Sequence, residues 1–210
     1  MSHIMPNSFK YRPTLVLIAL NIAMYVFTSI VGGNFLETNI NVIYQYGQVG
    51  VLVVSEGYYY QLVTSMFVHA NIAHIAGNMI FLLVFGLRGE EMFSLPEYLS
   101  IYFLGGLAGN LLSLLPFFLS PVIPSVGASG AIFAMFGACT IHIRRTIRQS
   151  IVGALIYAFF LLFISSAPGV NIFAHVGGLV TGLLIGYVLA TRRKPTASYT
   201  VSYTYPHSPF

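Results

Sequence analysis

The chain has 210 residues, 57% of them hydrophobic and only 7% charged, and its mean hydropathy is +0.82. A water-soluble domain of this length needs far more charge to cover its surface, so the composition points to a bilayer as solvent. The net charge of +4 comes from nine basic residues too dispersed to form a nucleic-acid footprint, and the single cysteine, Cys139, excludes an intrachain disulfide.

A spanning helix needs about 20 mostly apolar residues. Six segments are read as spans: 13–32, 70–87, 96–118, 128–143, 150–167 and 171–191. Lys10 and Arg12 precede the first, which lacks a small-residue cleavage pattern and reads as a retained helix, not a signal peptide. The loop at 33–69 is long and of mixed polarity, and is expected to hold short helices lying in the membrane interface. Pro96 opens the third span and Pro168 follows the fifth, both positions where proline is tolerated. The fourth and fifth spans are short, which packing inside a bundle allows. The expected fold is an all-α membrane protein, a six-transmembrane-helix bundle with a long membrane-associated external loop between helices 1 and 2. Residues 1–12 form an N-terminal segment, 13–191 the membrane domain, and 192–210 a polar tail expected to be disordered.

With six spans, every basic residue falls on one side: Lys10, Arg12, Arg88, Arg144, Arg145, Arg148, Arg192, Arg193 and Lys194. The bias of Lys and Arg toward the cytoplasm then places both termini inside and the loops 33–69, 119–127 and 168–170 outside. The chain is expected to be an integral multi-pass protein of the plasma membrane, with the lipid bilayer as its surroundings.

In this topology the second, fourth and sixth helices begin at the outer face. "HANIAHIAGN" puts His74 and Asn78 in the first turns of the second, four residues apart and so on one face. "GASG" puts Ser129 at the outer end of the fourth, and "NIFAHVGG" puts His175 about a turn below the surface in the sixth. At 1.5 Å per residue all four lie within about 10–15 Å of the external helix ends. Polar groups at that depth mark a functional site by default. The competing view is that Asn and His only staple helices together, at about 0.6 kcal/mol on average. Four such groups from three helices at one depth favour a site. Gly178, Gly182 and Gly186 form one small-residue stripe, and Gly130, Ala134 and Ala138 another. Packed together they would bring Ser129 toward His175.

The inventory restricts the chemistry. There is no aspartate, which excludes a paired-aspartate protease and a Ser-His-Asp triad, and there is no HExxH. Of the five glutamates, Glu37 and Glu56 lie in the long loop and Glu90, Glu91 and Glu97 on the basic side. His69, His74 and His175 lack a carboxylate or thiolate companion, so neither a metal nor another cofactor is expected. What remains is a serine activated by a histidine base. Phe133, one turn after Ser129, is placed to orient the His175 ring. The Ser129 N–H at a helix N-terminus, with His74 and Asn78, can donate to a developing oxyanion.

These residues resemble the rhomboid family of intramembrane serine proteases. "GASG" at 127–130 is similar to its G-x-S-G motif, "AHVGGLVTG" at 174–182 to its A-H-x-x-G helix, and "HANIAHIAGN" at 69–78 to its H-x(4)-H-x(3)-N pattern. The resemblance spans about residues 14–191 and implies a rhomboid-type six-helix bundle around a water-filled cavity open to the outside. It implies Ser129 as nucleophile, His175 as base, and His74 and Asn78 at the oxyanion, with Gly127, Gly130, Phe133 and Gly178 packed around them. Implied partners are transmembrane proteins cut near their outer ends, often at small residues beside helix-weakening sequence. One departure stands out. The family commonly carries Trp-Arg shortly before the second helix, where this chain has Tyr60 and Gln61 and no tryptophan anywhere. His69 fits the family pattern and reads as structural.

Two other classes compete. A non-proteolytic scaffold or chaperone of this fold would bind membrane proteins without cleaving them, and partner capture unaffected by Ser129→Ala would identify it. A small transporter is disfavoured by the lack of intramembrane carboxylates and of broken helices in matching halves.

Overall fold

The computed structural model describes residues 12–115, 124–146, 150, 152–153, 156 and 171–192. The N-terminal segment before Arg12, nearly all of the fifth span expected at 150–167, the 168–170 loop and the tail from residue 193 lie outside the described residues.

Apart from two isolated β-bridges, the regular structure described is helical. Helix α1 (Pro13–Gly32) starts with proline in its first turn, where the missing N–H costs nothing. It stops at Gly33, whose φ of 71° is the left-handed turn glycine accepts most readily. Three short helices follow within the long loop: α2 (Ile40–Tyr46), α3 (Gly50–Ser55) and α4 (Gln61–Thr64). Then come α5 (Ile72–Met92), α6 (Leu95–Leu112), α7 (Ser129–Thr146) and α8 (Ile172–Arg192). Among the described residues, α1, α5 and α8 are long and apolar enough to cross a membrane, so the chain is an integral membrane protein.

Several helix limits differ from the hydropathy reading, each for a local reason. Helix α5 starts at Ile72 because the Asn71 side chain accepts the His74 N–H at 2.8 Å and caps it. It also runs past 87 to Met92, so Arg88 lies inside the helix rather than after it. The charged turn is held by an Arg88–Glu91 ion pair and by Glu90, whose carboxylate accepts the Thr14 N–H at 2.9 Å. Helix α6 opens with the Glu97 carboxylate accepting the Ser94 N–H at 2.7 Å and ends at Leu112, short of 118.

At the end of the bundle where α1 begins and α5 finishes, the Thr14 hydroxyl lies 2.9 Å from the Tyr98 hydroxyl of α6, both fully buried. Gly86 lets these groups approach, because a Cβ there would stand 2.8 Å from each hydroxyl oxygen. The core continues through Leu82, Ile101, Tyr102 and Met135.

Helices α7 and α8 run parallel through a glycine seam. A Cβ on Gly178, Gly182 or Gly186 would overlap the carbonyl of Gly130, Ala134 or Ala138 in turn. The two stripes thus meet in register, with backbones in van der Waals contact. On its other side α8 lies against α6, where a Cβ on Gly177 would come within 2.9 Å of the Ala108 carbonyl oxygen.

Candidate active site

The in-register seam decides where the polar residues end up. Ser129 opens α7 immediately before Gly130, and His175 lies one turn before Gly178. His175 Nε2 is 2.8 Å from Ser129 Oγ, a hydrogen bond in which the hydroxyl can donate to the imidazole. His175 is buried, at 6% exposure, and Ser129 is half-buried. Phe133, one turn into α7, stacks on the imidazole with centroids 4.4 Å apart and planes 24° apart.

Gly127 shapes the approach to Ser129. Its φ of 120° is strained for any residue with a side chain, and its N–H is held by the Ser65 carbonyl at 2.9 Å. A Cβ at Gly127 would stand 2.9 Å from His74 Nε2 and 3.9 Å from the Ser129 nitrogen, so two of the expected oxyanion donors border one small space. The His74 ring accepts the Ala70 N–H through Nδ1 at 3.4 Å, which leaves Nε2 to carry the proton of the neutral ring. Asn78 donates to the His74 carbonyl at 2.9 Å, one turn back on α5. Its Oδ1 is buried with no hydrogen-bond partner among the described residues, a cost that a purely structural amide avoids.

All four residues line one cavity of about 610 Å3, together with Gly127, Phe133 and the apolar side chains of Ile40, Phe81 and Ile132. Gly130 and Gly178 sit behind it in the seam. The structure thus brings the four polar residues expected at one depth to one cavity, while Gly130, Gly178 and His69 lie outside its lining.

Other residues were passed over in the sequence. Asn110 of α6 donates to the Leu62 carbonyl at 2.8 Å and to Ser65 Oγ at 2.9 Å, while its own carbonyl accepts from Gln48 Nε2 at 2.8 Å. Gln48 and Ser125 exchange two backbone hydrogen bonds at 2.8 and 2.9 Å. The long loop is thereby fastened to the strand of chain leading into Ser129. These contacts join residues 45 or more apart in sequence, and only the capping position of Asn171, four residues before His175, carried a local signal.

Gln61, where the family commonly has arginine, is fully buried. Its Oε1 accepts the Val49 N–H at 3.0 Å and its Nε2 donates to the Tyr44 carbonyl at 2.8 Å. Tyr60 and Thr64 donate to the carbonyls of Gln45 and Tyr46. Neutral side chains thus tie α2, α3 and α4 together from within. His69 is also fully buried, its ring edge-on to His74 at 5.2 Å. Its Nδ1 donates to the Phe67 carbonyl at 3.2 Å. Burial, with the neighbouring His74 adding to it, pushes the His69 pKa down to about 3.

A family model, "Rhomboid domain", matches residues 56–192. The chain is 39% identical over 136 residues to RHOMBOID-like protein 6, mitochondrial, of Arabidopsis thaliana, covering 62% of this chain and 43% of that protein. It is 32% identical over 183 residues to Rhomboid protease GluP of Bacillus subtilis (strain 168), covering 84% and 34%. To Rhomboid-like protease 3 of Toxoplasma gondii it is 30% identical over 172 residues, covering 78% and 64%. The matched region spans less than half the length of the first two relatives.

Proposed function

The chain belongs to the rhomboid family, and from that premise we propose that it is an intramembrane serine endopeptidase working through Ser129 and His175. The observation that carries the proposal is the 2.8 Å contact between Ser129 Oγ and His175 Nε2 at the wall of the cavity. His175 takes the hydroxyl proton as Oγ attacks the scissile carbonyl. The oxyanion of the tetrahedral intermediate forms beside the Ser129 N–H, at the positive end of α7, with His74 Nε2–H and the Asn78 amide as further donors. His175 then gives its proton to the leaving amine as the C–N bond breaks. Water, deprotonated by His175, releases the acyl group and restores the serine. No carboxylate is required, because stacking on Phe133 orients the ring.

In this reading residues 13–191 form a six-helix membrane domain with 150–167 as its fifth span, between a short N-terminal segment and a C-terminal tail. The basic residues place both termini in the cytoplasm, and the cavity opens to the external side of the plasma membrane. Substrates are transmembrane proteins whose helices are cut near their outer ends, where helix-weakening sequence lets a strand of backbone reach Ser129.

The test is cleavage of a single-span reporter by the purified protein in detergent. Ser129→Ala and His175→Ala are each expected to abolish product while leaving the thermal midpoint intact. Labelling of Ser129 by a serine-directed phosphonate should vanish with His175→Ala. Undiminished cleavage after Ser129→Ala overturns the reading. Capture of the reporter without product by the unmodified chain would instead indicate a scaffold.

A further inference from the structure

The seam fixes α7 and α8 from Gly130 and Gly178 onward, but Ser129 stands at the first position of α7, where no helical hydrogen bond from a preceding turn holds the backbone. A nucleophile in that position needs restraint from outside its helix. Asn171 supplies a direct link. Its Oδ1 accepts the Ala174 N–H at 3.2 Å and its backbone carbonyl accepts the His175 N–H at 3.4 Å, so it caps the helix that carries the base. Its Nδ2 reaches in the other direction and donates to Ser125 Oγ at 2.9 Å. Ser125 lies four residues before Ser129, is 8% exposed, and is itself pinned to Gln48 by two backbone bonds. Asn171 and Ser125 both border the cavity.

Resting on the protease reading above, we propose that the Asn171–Ser125 pair is a positioning latch. One amide caps the base helix and grips the segment leading into the nucleophile, which fixes the approach of Ser129 Oγ to His175 Nε2. Neither residue is a catalytic residue. The pair acts through geometry, to which reaction rates are steeply sensitive, with a misplacement of about 1 Å costing up to about a hundredfold.

Three variants separate the latch from the cap. Ser125→Ala removes the latch and leaves the cap. Asn171→Ser keeps a capping oxygen but is too short to reach Ser125. Asn171→Asp keeps the cap and can accept a hydrogen bond from the Ser125 hydroxyl. Ser125→Ala and Asn171→Ser are each expected to slow phosphonate acylation of Ser129 and lower kcat about tenfold with KM unchanged. The double variant should lose no more than either single one, and Asn171→Asp should recover most of the rate. In detergent micelles, amide hydrogen exchange across residues 125–130 should accelerate several-fold in Ser125→Ala while the first turn of α8 stays protected. That measurement needs no turnover. An unmodified chain that neither labels nor cleaves would sink the protease reading, and the exchange result would still decide the latch. Unchanged exchange in Ser125→Ala, unchanged acylation in either single variant, or losses that multiply in the double variant would each overturn the latch.

Discussion

Phe133 lies face to face with His175, ring centroids 4.4 Å apart and planes 24° apart, and so restrains the plane of the imidazole. An aromatic stack of this kind contributes about 0.5–1.5 kcal/mol. If its role is to orient the base, Phe133→Ala lowers kcat by about two- to twelvefold, the kinetic equivalent of that energy, while KM is unchanged. Phe133→Tyr, which keeps the ring face, retains most of the activity. Steady-state cleavage of a fluorogenic transmembrane reporter gives both constants, and an equal loss for both variants would assign the effect to crowding of the cavity.

His74 and Asn78 make a different prediction, because in the proposed mechanism they act on charge that exists only in the transition state. His74→Ala and Asn78→Ala should each reduce kcat by about a hundredfold or more, the usual effect of removing one oxyanion donor. The double variant should lose less than the product of the two, since both donors serve one oxygen. Reporter affinity, measured on a Ser129→Ala background, should be unaffected.

Gln61 tests the interior of the long loop. Gln61→Leu leaves the Val49 N–H and the Tyr44 carbonyl without their side-chain partner, at about 1–3 kcal/mol for each group that stays buried and unpaired. Gln61→Arg places a cation at a position with zero exposure, among backbone groups already satisfied by an amide. Both variants should lower the thermal midpoint in detergent, and the arginine variant should be the worse. A midpoint at or above that of the parent for Gln61→Arg would refute this account of the loop.

His69 sets a pH limit. Its folded pKa is pushed down to about 3 from an ordinary 6.5, so between those values the unfolded chain binds a proton that the folded chain refuses. Stability therefore rises with pH through this window: it is fully present above 6.5 and is lost progressively as the pH falls toward 3. Thermal midpoints measured from pH 7.5 down to about pH 4 should decline, and His69→Gln, which cannot titrate, should flatten that slope even if its stability at neutral pH is lower.

Much of the fold was legible because the bilayer imposes a coarse rule. The limits of α1 and α8 came within a residue or so of the apolar runs, since membrane helices must satisfy their own backbone. Helix α5 was misjudged at its end because Arg88, Glu90 and Glu91 read as the close of a span, whereas an ion pair and the bond to Thr14 carry the helix on to Met92. The members of the candidate site were visible as polar residues at one depth, and two small-residue stripes indicated which helices bring them together. The bracing of the site was not visible. Gln48, Ser125, Asn110 and Asn171 pair across 45 to 65 residues with backbone groups and small hydroxyls, and no spacing rule marks a partner chosen only by the folded loop.

The glycine seam has a bearing on control. Because α7 and α8 meet carbonyl against Cα at three successive turns, sliding one past the other would drive backbone atoms into each other. Under the protease reading, a dormant state made by sliding the two helices past each other is therefore excluded at the seam. Under that reading a throttle acts either on what reaches the pair or on the segment leading into Ser129, the part of the approach that the seam does not hold.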